Sequence, residues 1–125
     1  MTHLRTRAVH AGQHPDPASG AIAMPITQST AFAYGSLERG AAIFAGEAEG
    51  YRYGRYGNPT VAALEAKMAD LEGAEAAVAF ASGTAATAAT VLALLQPGDE
   101  LVFLGPLYGG TETLIRKILP EWGIG

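Results

Sequence analysis

Hydrophobic residues recur at helical spacing in the middle of the chain. Apolar positions three to four residues apart predict an α-helix over residues 60–72, and they are Val61, Leu64, Met68 and Leu71. We expect Thr60 to be the N-cap of this helix, directly after Pro59, and Gly73 to end it. A shorter helical pattern covers residues 37–44.

Two short apolar segments after this helix predict buried strands. Residues 76–81 read Ala-Ala-Val-Ala-Phe-Ala and residues 100–104 read Glu-Leu-Val-Phe-Leu, and turn residues bound both segments. Further helices are expected over residues 84–95 and 111–119, the second of them ended by Pro120. Because helices alternate with strands, this order predicts an α/β fold with a mostly parallel sheet and right-handed crossovers.

The first fifty residues differ from the rest of the chain. They are rich in Gly, Pro, Ser and Thr, and they show no sustained helical or strand period before residue 37. A segment of this kind does not build a core of its own. We therefore interpret residues 1–57 as an extended arm and residues 58–125 as the first part of an α/β domain.

Composition excludes several classes of function. A net charge of −4 over 125 residues argues against a broad nucleic-acid-binding surface. The absence of cysteine excludes disulfides, thiolate metal sites and a cysteine nucleophile. We interpret His3, His10 and His14 as solvated or packed histidines and predict no metal site. The most apolar stretch, residues 85–95, is too short to span a membrane, and the amino terminus does not resemble a signal peptide, so we expect a cytoplasmic protein.

Ligands of open α/β sheets bind at the carboxyl ends of the strands, and two such points occur here. The first is Ser82-Gly83-Thr84, where glycine permits close approach to the backbone and the next helix offers free N–H groups to a phosphate. Any α/β protein needs a small turn at this point, so the motif alone is weak. It lacks the Gly-x-Gly-x-x-Gly pattern of dinucleotide folds and the lysine of a P-loop.

The second point is Tyr108-Gly109-Gly110, where a tyrosine ring with free space around it suits stacking on a flat ligand. The alternative is a core tyrosine that closes a loop. Residues 51–60 read Tyr-Arg-Tyr-Gly-Arg-Tyr-Gly-Asn-Pro-Thr and place arginine forks beside tyrosine hydroxyls, a combination that binds anions. A solvated loop with packed tyrosines is the alternative there. Together the three motifs describe a site for a planar, phosphorylated cofactor.

These motifs resemble the amino-terminal part of the Cys/Met-metabolism family of pyridoxal-phosphate (PLP) enzymes. That family includes cystathionine γ-synthase, cystathionine γ- and β-lyases, O-acetylhomoserine sulfhydrylase and methionine γ-lyase. Similar motifs occur in the family's order along essentially the whole chain, at residues 6–12, 20–21, 25–26, 28–32, 44–47, 53–55, 58–60, 82–83, 97–99 and 107–110. The resemblance implies a fold-type I (aspartate aminotransferase-like) enzyme, built as a homotetramer, that acts on a small amino-acid substrate with PLP as cofactor.

The resemblance also implies roles for matched residues. Ser82, Gly83 and Thr84 would bind the PLP phosphate, the last two through their main-chain N–H groups, and Tyr108 would stack on the pyridine ring and serve as a catalytic residue. A second group, Tyr53 and Arg55, would reach the phosphate in the neighbouring subunit's site, so that a dimer shares each site. The chain departs from the family at Gly54, often serine, and at Thr84, often methionine, and neither change affects the expected contacts.

The chain also departs from the family in its lysines. PLP chemistry needs a lysine to attach the cofactor and an acidic group beside the pyridine nitrogen. Only Lys67 and Lys117 occur, both within predicted helices, and in the family the required lysine and aspartate lie beyond position 125. We therefore expect a fragment of a γ-replacing or γ-eliminating enzyme that is inactive alone. The alternative is a non-catalytic binding or assembly module.

Overall fold

A computed structural model describes residues 3–125, which form two compact units, the first ending at Ala79 and the second comprising Phe80–Gly125. The helices of the first unit are α1 (Leu4–His10), α2 (Leu37–Ala45) and α3 (Pro59–Glu72). In the second unit, α4 (Gly83–Leu94) is followed by α5 (Gly109–Thr113), a π-helical turn (Leu114–Ile118) and α6 (Leu119–Glu121). The units thus divide after Ala79, so that α3 is grouped with the amino-terminal residues. The predicted division at 57/58 stays a prediction about the domains of the whole protein.

The N-cap of helix α3 lies two residues earlier than the sequence predicts. Its N-cap is Asn58, whose side chain accepts a hydrogen bond from the Thr60 N–H at 2.9 Å. Pro59 occupies the first helical position, where its missing N–H costs nothing, and the cap therefore precedes it. The prediction of Thr60 as N-cap is wrong for this reason. The predicted end is confirmed, because Gly73 has a φ of 68° and caps the helix in the left-handed conformation.

The amino-terminal residues pack on α3. Helix α1, which the sequence does not predict, is tied to it by an ion pair between Arg7 Nε and Asp70 Oδ2 at 2.8 Å. The Lys67 ammonium also donates to the Val9 carbonyl at 3.2 Å. A helix of seven residues is too short to show a clear period or to be stable alone, so tertiary contacts have to hold it.

The extended part of the arm is fixed beside the loop that precedes α3. Ala31 and Tyr53 form an isolated antiparallel bridge, and the Gly54 N–H donates to the Thr30 carbonyl at 2.7 Å. The Asn58 side-chain amide donates to the Thr27 carbonyl at 2.9 Å. Contacts with residues 27–31 therefore hold the arginine- and tyrosine-rich loop, residues 51–57, in place.

The predicted strands do not form a sheet within residues 3–125, where the Ala31–Tyr53 bridge is the one β pairing assigned. A strand is stabilised by its neighbours. In this part of the chain residues 76–81 have no paired neighbour, and residues 100–104 are bonded to the backbone of Gly125 alone. Val102 and Leu104 accordingly remain more than nine-tenths exposed. The Gly125 N–H does donate to the Asp99 carbonyl, and the Leu101 N–H donates to the Gly125 carbonyl. Hydrogen bonds from one residue to the two residues that flank another are the pattern of parallel strands, so Gly125 and Glu100 are paired in the parallel direction.

The second unit has a small apolar core under its last helical segments. Its buried members are Val91, Leu114, Leu119 and Ile124. Helical backbone continues past Pro120 to Glu121, so the prediction that Pro120 ends the helix is wrong. Proline has no N–H and crowds the carbonyl four residues earlier, and the wider π-helical turn just before it gives the ring room.

Across residues 3–125, no helix combines the length and the apolar character needed to cross a membrane.

We expect Gly12→Ala to destabilise the first unit more than Gly20→Ala. Both glycines have φ near 70°, where alanine costs about 1–2 kcal/mol. A Cβ on Gly12 would also overlap the Ala63 carbonyl and lie 2.7 Å from the Lys67 backbone nitrogen, whereas Gly20 has open space around it. Urea unfolding curves measure the difference, and equal losses would mean that the contact with α3 adds nothing.

Candidate functional site

The second unit contains an open cleft of about 510 Å³ between the starts of α4 and α5. Hydroxyl groups, one glycine and one aromatic ring form its lining: Ser82, Gly83, Thr84, Thr87, Tyr108 and Thr111. The lining carries no charged side chain. A ligand of this cleft would therefore be recognised by backbone N–H groups, hydroxyl groups and an aromatic face.

The first turn of α4 supplies the N–H groups of the cleft. Ser82 is the N-cap, and its hydroxyl accepts from the Ala85 N–H at 3.1 Å. The Ala86 N–H donates to the Ser82 carbonyl at 3.0 Å, which leaves the N–H groups of Gly83 and Thr84 without an acceptor in the described part of the chain. Together with the positive end of the helix dipole, they form a binding position for an anion.

Thr87 lies one turn further along α4 and faces the same cleft. Its hydroxyl donates to the Gly83 carbonyl at 3.0 Å, so the side chain is bonded to the backbone of the first turn. Thr87 and Thr111 are not predicted from the sequence. The spacing of four residues between Gly83 and Thr87 was the signal that could have found the first, since such residues share a helix face.

Tyr108 supplies the aromatic face. It is the N-cap residue of α5, with its carbonyl accepting from the Glu112 N–H at 2.9 Å, and 75% of the residue surface is exposed. The alternative of a core tyrosine does not hold in this chain, because the side chain is not buried. The structure thus brings four predicted site residues to one cleft: Ser82, Gly83, Thr84 and Tyr108.

Tyr53 and Arg55 belong to the first unit and form a separate cluster with Arg52, Tyr56 and Phe44. The Arg55 guanidinium lies over the rings of Tyr53 (5.0 Å) and Tyr56 (5.3 Å). Arg52 lies over Tyr56 (5.0 Å) and Phe44 (5.3 Å). Residues 50–52, 56 and 57 also line a small cleft of about 160 Å³. The loop therefore holds two guanidinium groups against aromatic rings.

Arg52 and Arg55 have no acidic partner in the described residues, where the two ion pairs involve Arg7 and Arg116. Cation–π contact, rather than an ion pair, therefore orients both guanidinium groups.

Two carboxyl groups have a lowered pKa, and neither of them lines either of these clefts. The pKa of Asp16 is lowered by hydrogen bonds from the Ser19 hydroxyl and N–H, and that of Glu38 by its own N–H and the Ser36 hydroxyl.

Neither lysine lines these two clefts, whereas Lys67 lines a separate cleft of about 190 Å³ beside α3. The Lys67 ammonium is bound to the Val9 carbonyl, and Lys117 lies exposed in the π-helical turn. Asp99 accepts a hydrogen bond from the Gln96 N–H within a turn. Residues 3–125 also contain no group of three side chains that could hold a metal ion.

Comparison with known proteins identifies the family. Residues 5–125 match the family of Cys/Met metabolism PLP-dependent enzymes. The chain belongs to this family. It is 44% identical to L-methionine gamma-lyase of Pseudomonas putida, 45% identical to cystathionine gamma-synthase of Mycobacterium tuberculosis, and 50% identical to O-acetyl-L-homoserine sulfhydrylase of Corynebacterium glutamicum. These alignments cover 95%, 95% and 97% of this chain.

Solved structures agree with this assignment. The chain superposes with a TM-score of 0.87 on metB from Corynebacterium glutamicum (40% identity) and with 0.90 on a putative O-acetylhomoserine (thiol)-lyase from Campylobacter jejuni (34% identity). Each match covers 99% of this chain and 30% of the other. The likeness supports the fold of PLP-dependent trans-sulfuration enzymes, which is fold-type I, and the Campylobacter structure carries a pyridoxyl-lysine phosphate.

PLP is therefore the cofactor of this family, and part of what it needs is present in the chain. The free N–H groups of Gly83 and Thr84 fit a phosphate, and the exposed Tyr108 ring fits a pyridine ring. The cleft has no lysine for covalent attachment and no acid for the pyridine nitrogen. The chain spans about 30% of the length of the curated relatives it matches.

We expect Thr87→Val to weaken PLP binding about fivefold in the full-length protein, because the Gly83 carbonyl loses a hydrogen bond worth ~1 kcal/mol. Thr90→Val is the matched control. Its hydroxyl makes the same kind of bond, to the Ala86 carbonyl at 2.8 Å, but does not line the cleft. Titration with PLP measures both, and equal losses would show that only helix stability has changed.

Proposed function

We propose that this chain is the amino-terminal portion of a PLP-dependent trans-sulfuration enzyme. The whole protein would catalyse γ-replacement or γ-elimination on a homoserine ester, cystathionine or a methionine-type substrate. The observation that supports this proposal is a single cleft with free N–H groups on one side and an exposed tyrosine ring on the other, in a chain of this family. When bound, the cofactor withdraws electrons from the substrate carbons that lose a proton.

In this proposal the first turn of α4 binds the cofactor phosphate. The N–H groups of Gly83 and Thr84 donate to phosphate oxygens, and the Ser82 hydroxyl adds a further contact. α4 has 12 residues, long enough for its dipole to add to these bonds. Gly83 has no Cβ, and no atom lies within 4 Å of the place where one would be, so a ligand can approach the backbone there.

Tyr108 has two proposed roles. Its ring stacks on the pyridine ring of the cofactor, which fixes the plane in which the substrate reacts. Its hydroxyl then accepts or delivers a proton near the leaving group of the substrate, which makes it a catalytic residue. The exposure of the side chain in this chain supports both roles, because a buried ring could not reach a ligand.

Tyr53 and Arg55 are proposed to serve the site of the neighbouring subunit. Arg55 has no acidic partner among the described residues, so its charge is available for a phosphate group. The rings of Tyr53 and Tyr56 hold its guanidinium, which reduces the freedom lost on binding. The whole protein would then be a homo-oligomer, a cytoplasmic homotetramer built from dimers that share their sites.

The choice among the reactions depends on residues outside this sequence. Relatives with three different activities match this chain at 44%, 45% and 50% identity, so the amino-terminal portion is similar in all three. Methionine γ-lyases typically carry a reactive cysteine at the position of Gly110, as the family resemblance implies. The glycine counts against a strict methionine γ-lyase, although residues 44–47 resemble that branch and the sulfhydrylases, so the choice between synthase and lyase stays open. A non-catalytic binding module remains the second candidate, because the cleft has no lysine.

We expect Arg55→Ala to weaken PLP binding in the full-length protein by about 1.5–3 kcal/mol, or roughly 10- to 150-fold, through loss of a charge-assisted phosphate contact. Arg5→Ala removes the same charge from an exposed position in α1 and should leave binding unchanged. Fluorescence titration with PLP gives both constants.

Mixed dimers test whether the site is shared. When Arg55→Ala is combined with a variant that lacks the cofactor-binding lysine, each heterodimer should contain one intact site, and activity should return. A mixture that stays as inactive as either variant would mean that Arg55 acts in its own subunit.

We expect the full-length protein to bind PLP with visible absorbance and to turn over at least one substrate, and the 125-residue chain alone to turn over none. O-acetylhomoserine, cystathionine and methionine are the substrates to compare, with ammonia, keto acid or thioether release as the measurement. A full-length protein without cofactor absorbance or activity would refute the proposed function. Turnover by the 125-residue chain would refute the need for an additional lysine.

A further inference from the structure

Gly110 lies against the ring of Tyr108 in a way that leaves no room for a side chain. A Cβ built on Gly110 would be 2.8 Å from Tyr108 Cε1 and 3.4 Å from Cδ1, with Thr84 Oγ1 at 3.7 Å. Carbon atoms in contact prefer a separation of about 3.5–4.0 Å. Any residue other than glycine would therefore require the ring to move.

The neighbouring Gly109 shows that this is not a general property of the motif. Both glycines belong to the first turn of α5, and neither has a positive φ, so the backbone would accept alanine at both positions. A Cβ on Gly109 would have nothing within 4 Å. The steric demand for glycine is thus confined to position 110, and it comes from the Tyr108 ring.

The ring, rather than the helix, would yield to a side chain at position 110. Tyr108 is 75% exposed and its side chain has two rotatable bonds, so it can rotate into solvent. Alanine also forms helices better than glycine does. A substitution at 110 should therefore displace the ring while α5 stays folded.

We propose that Gly110 is a positioning residue for Tyr108, and that it sets the place of the ring beside the start of α4. The space left by the missing side chain is occupied by the ring edge, which keeps the ring at the cleft that Thr84 also lines. The role of the ring as a stacking partner rests on the proposed function, whereas its packing on Gly110 does not. Position 110 would then control how the cofactor ring is held.

The test compares Gly110→Ala with Gly109→Ala in the full-length protein labelled with 3-fluorotyrosine. In the protein without cofactor, the Tyr108 fluorine resonance is the one lost in Tyr108→Phe. We expect it to shift in Gly110→Ala and to stay in place in Gly109→Ala. An unchanged resonance in both variants, or the same shift in both, would overturn the proposal.

Loading with PLP tests the consequence for the site. We expect the visible circular dichroism of the bound cofactor to change in Gly110→Ala only, with binding weakened by up to about tenfold, the range of one aromatic stacking contact. Unchanged dichroism and affinity in Gly110→Ala would overturn the proposal. Failure of the unsubstituted protein to bind PLP would refute the proposed function instead, and the fluorine spectra of the cofactor-free protein would still decide the role of Gly110 in placing the ring.

A double-mutant cycle covers the case in which Gly110→Ala destabilises the protein. If the ring causes the loss, Gly110→Ala should have no such effect in a Tyr108→Ala background, where the ring is absent. An equal loss of stability in both backgrounds would mean that glycine is needed at position 110 for another reason, and the proposal would be wrong.

Discussion

Two backbone N–H groups at the start of α4 have no helical carbonyl to which they can donate a hydrogen bond, and the cleft of the second unit is built around them. Ser82 satisfies the next N–H with its side chain, so Gly83 and Thr84 are the two that remain open. Thr87 then holds the Gly83 carbonyl one turn later. The cleft forms where α5 brings Tyr108 next to this first turn, and its chemistry follows from those open donors.

The first unit depends on how α3 holds the residues before it. Arg7 and Lys67 tie α1 to α3 by an ion pair and a hydrogen bond, and Asn58 connects the cap of α3 to the extended segment at Thr27. The loop that carries Arg55 leaves this segment at the Ala31–Tyr53 bridge. The amino-terminal arm has no core of its own and is thus held by its contacts with α3. In its loop, the Arg55 guanidinium lies against the rings of Tyr53 and Tyr56.

The exposed apolar segments are explained by the same logic of missing partners. Val102 and Leu104 are almost fully exposed because no strand within residues 3–125 lies beside them. The two hydrogen bonds that join Gly125 to residues 99 and 101 show the parallel direction in which pairing begins. The relatives are more than three times as long as the aligned part. Within residues 3–125, therefore, the predicted sheet is not formed.

Local signals in the sequence determined the helices with clear periods, the left-handed end of α3 at Gly73, the family, and four residues of one cleft. Tertiary structure decided the rest. Helix α1 exists because α3 holds it, Pro120 stays within helical backbone because a π-helical turn makes room, and residues 76–81 remain unpaired because a strand requires neighbours. Thr87, Tyr56 and Gly110 gained roles only through contacts in space, since nothing in the sequence states which ring, carbonyl or cation a residue will touch.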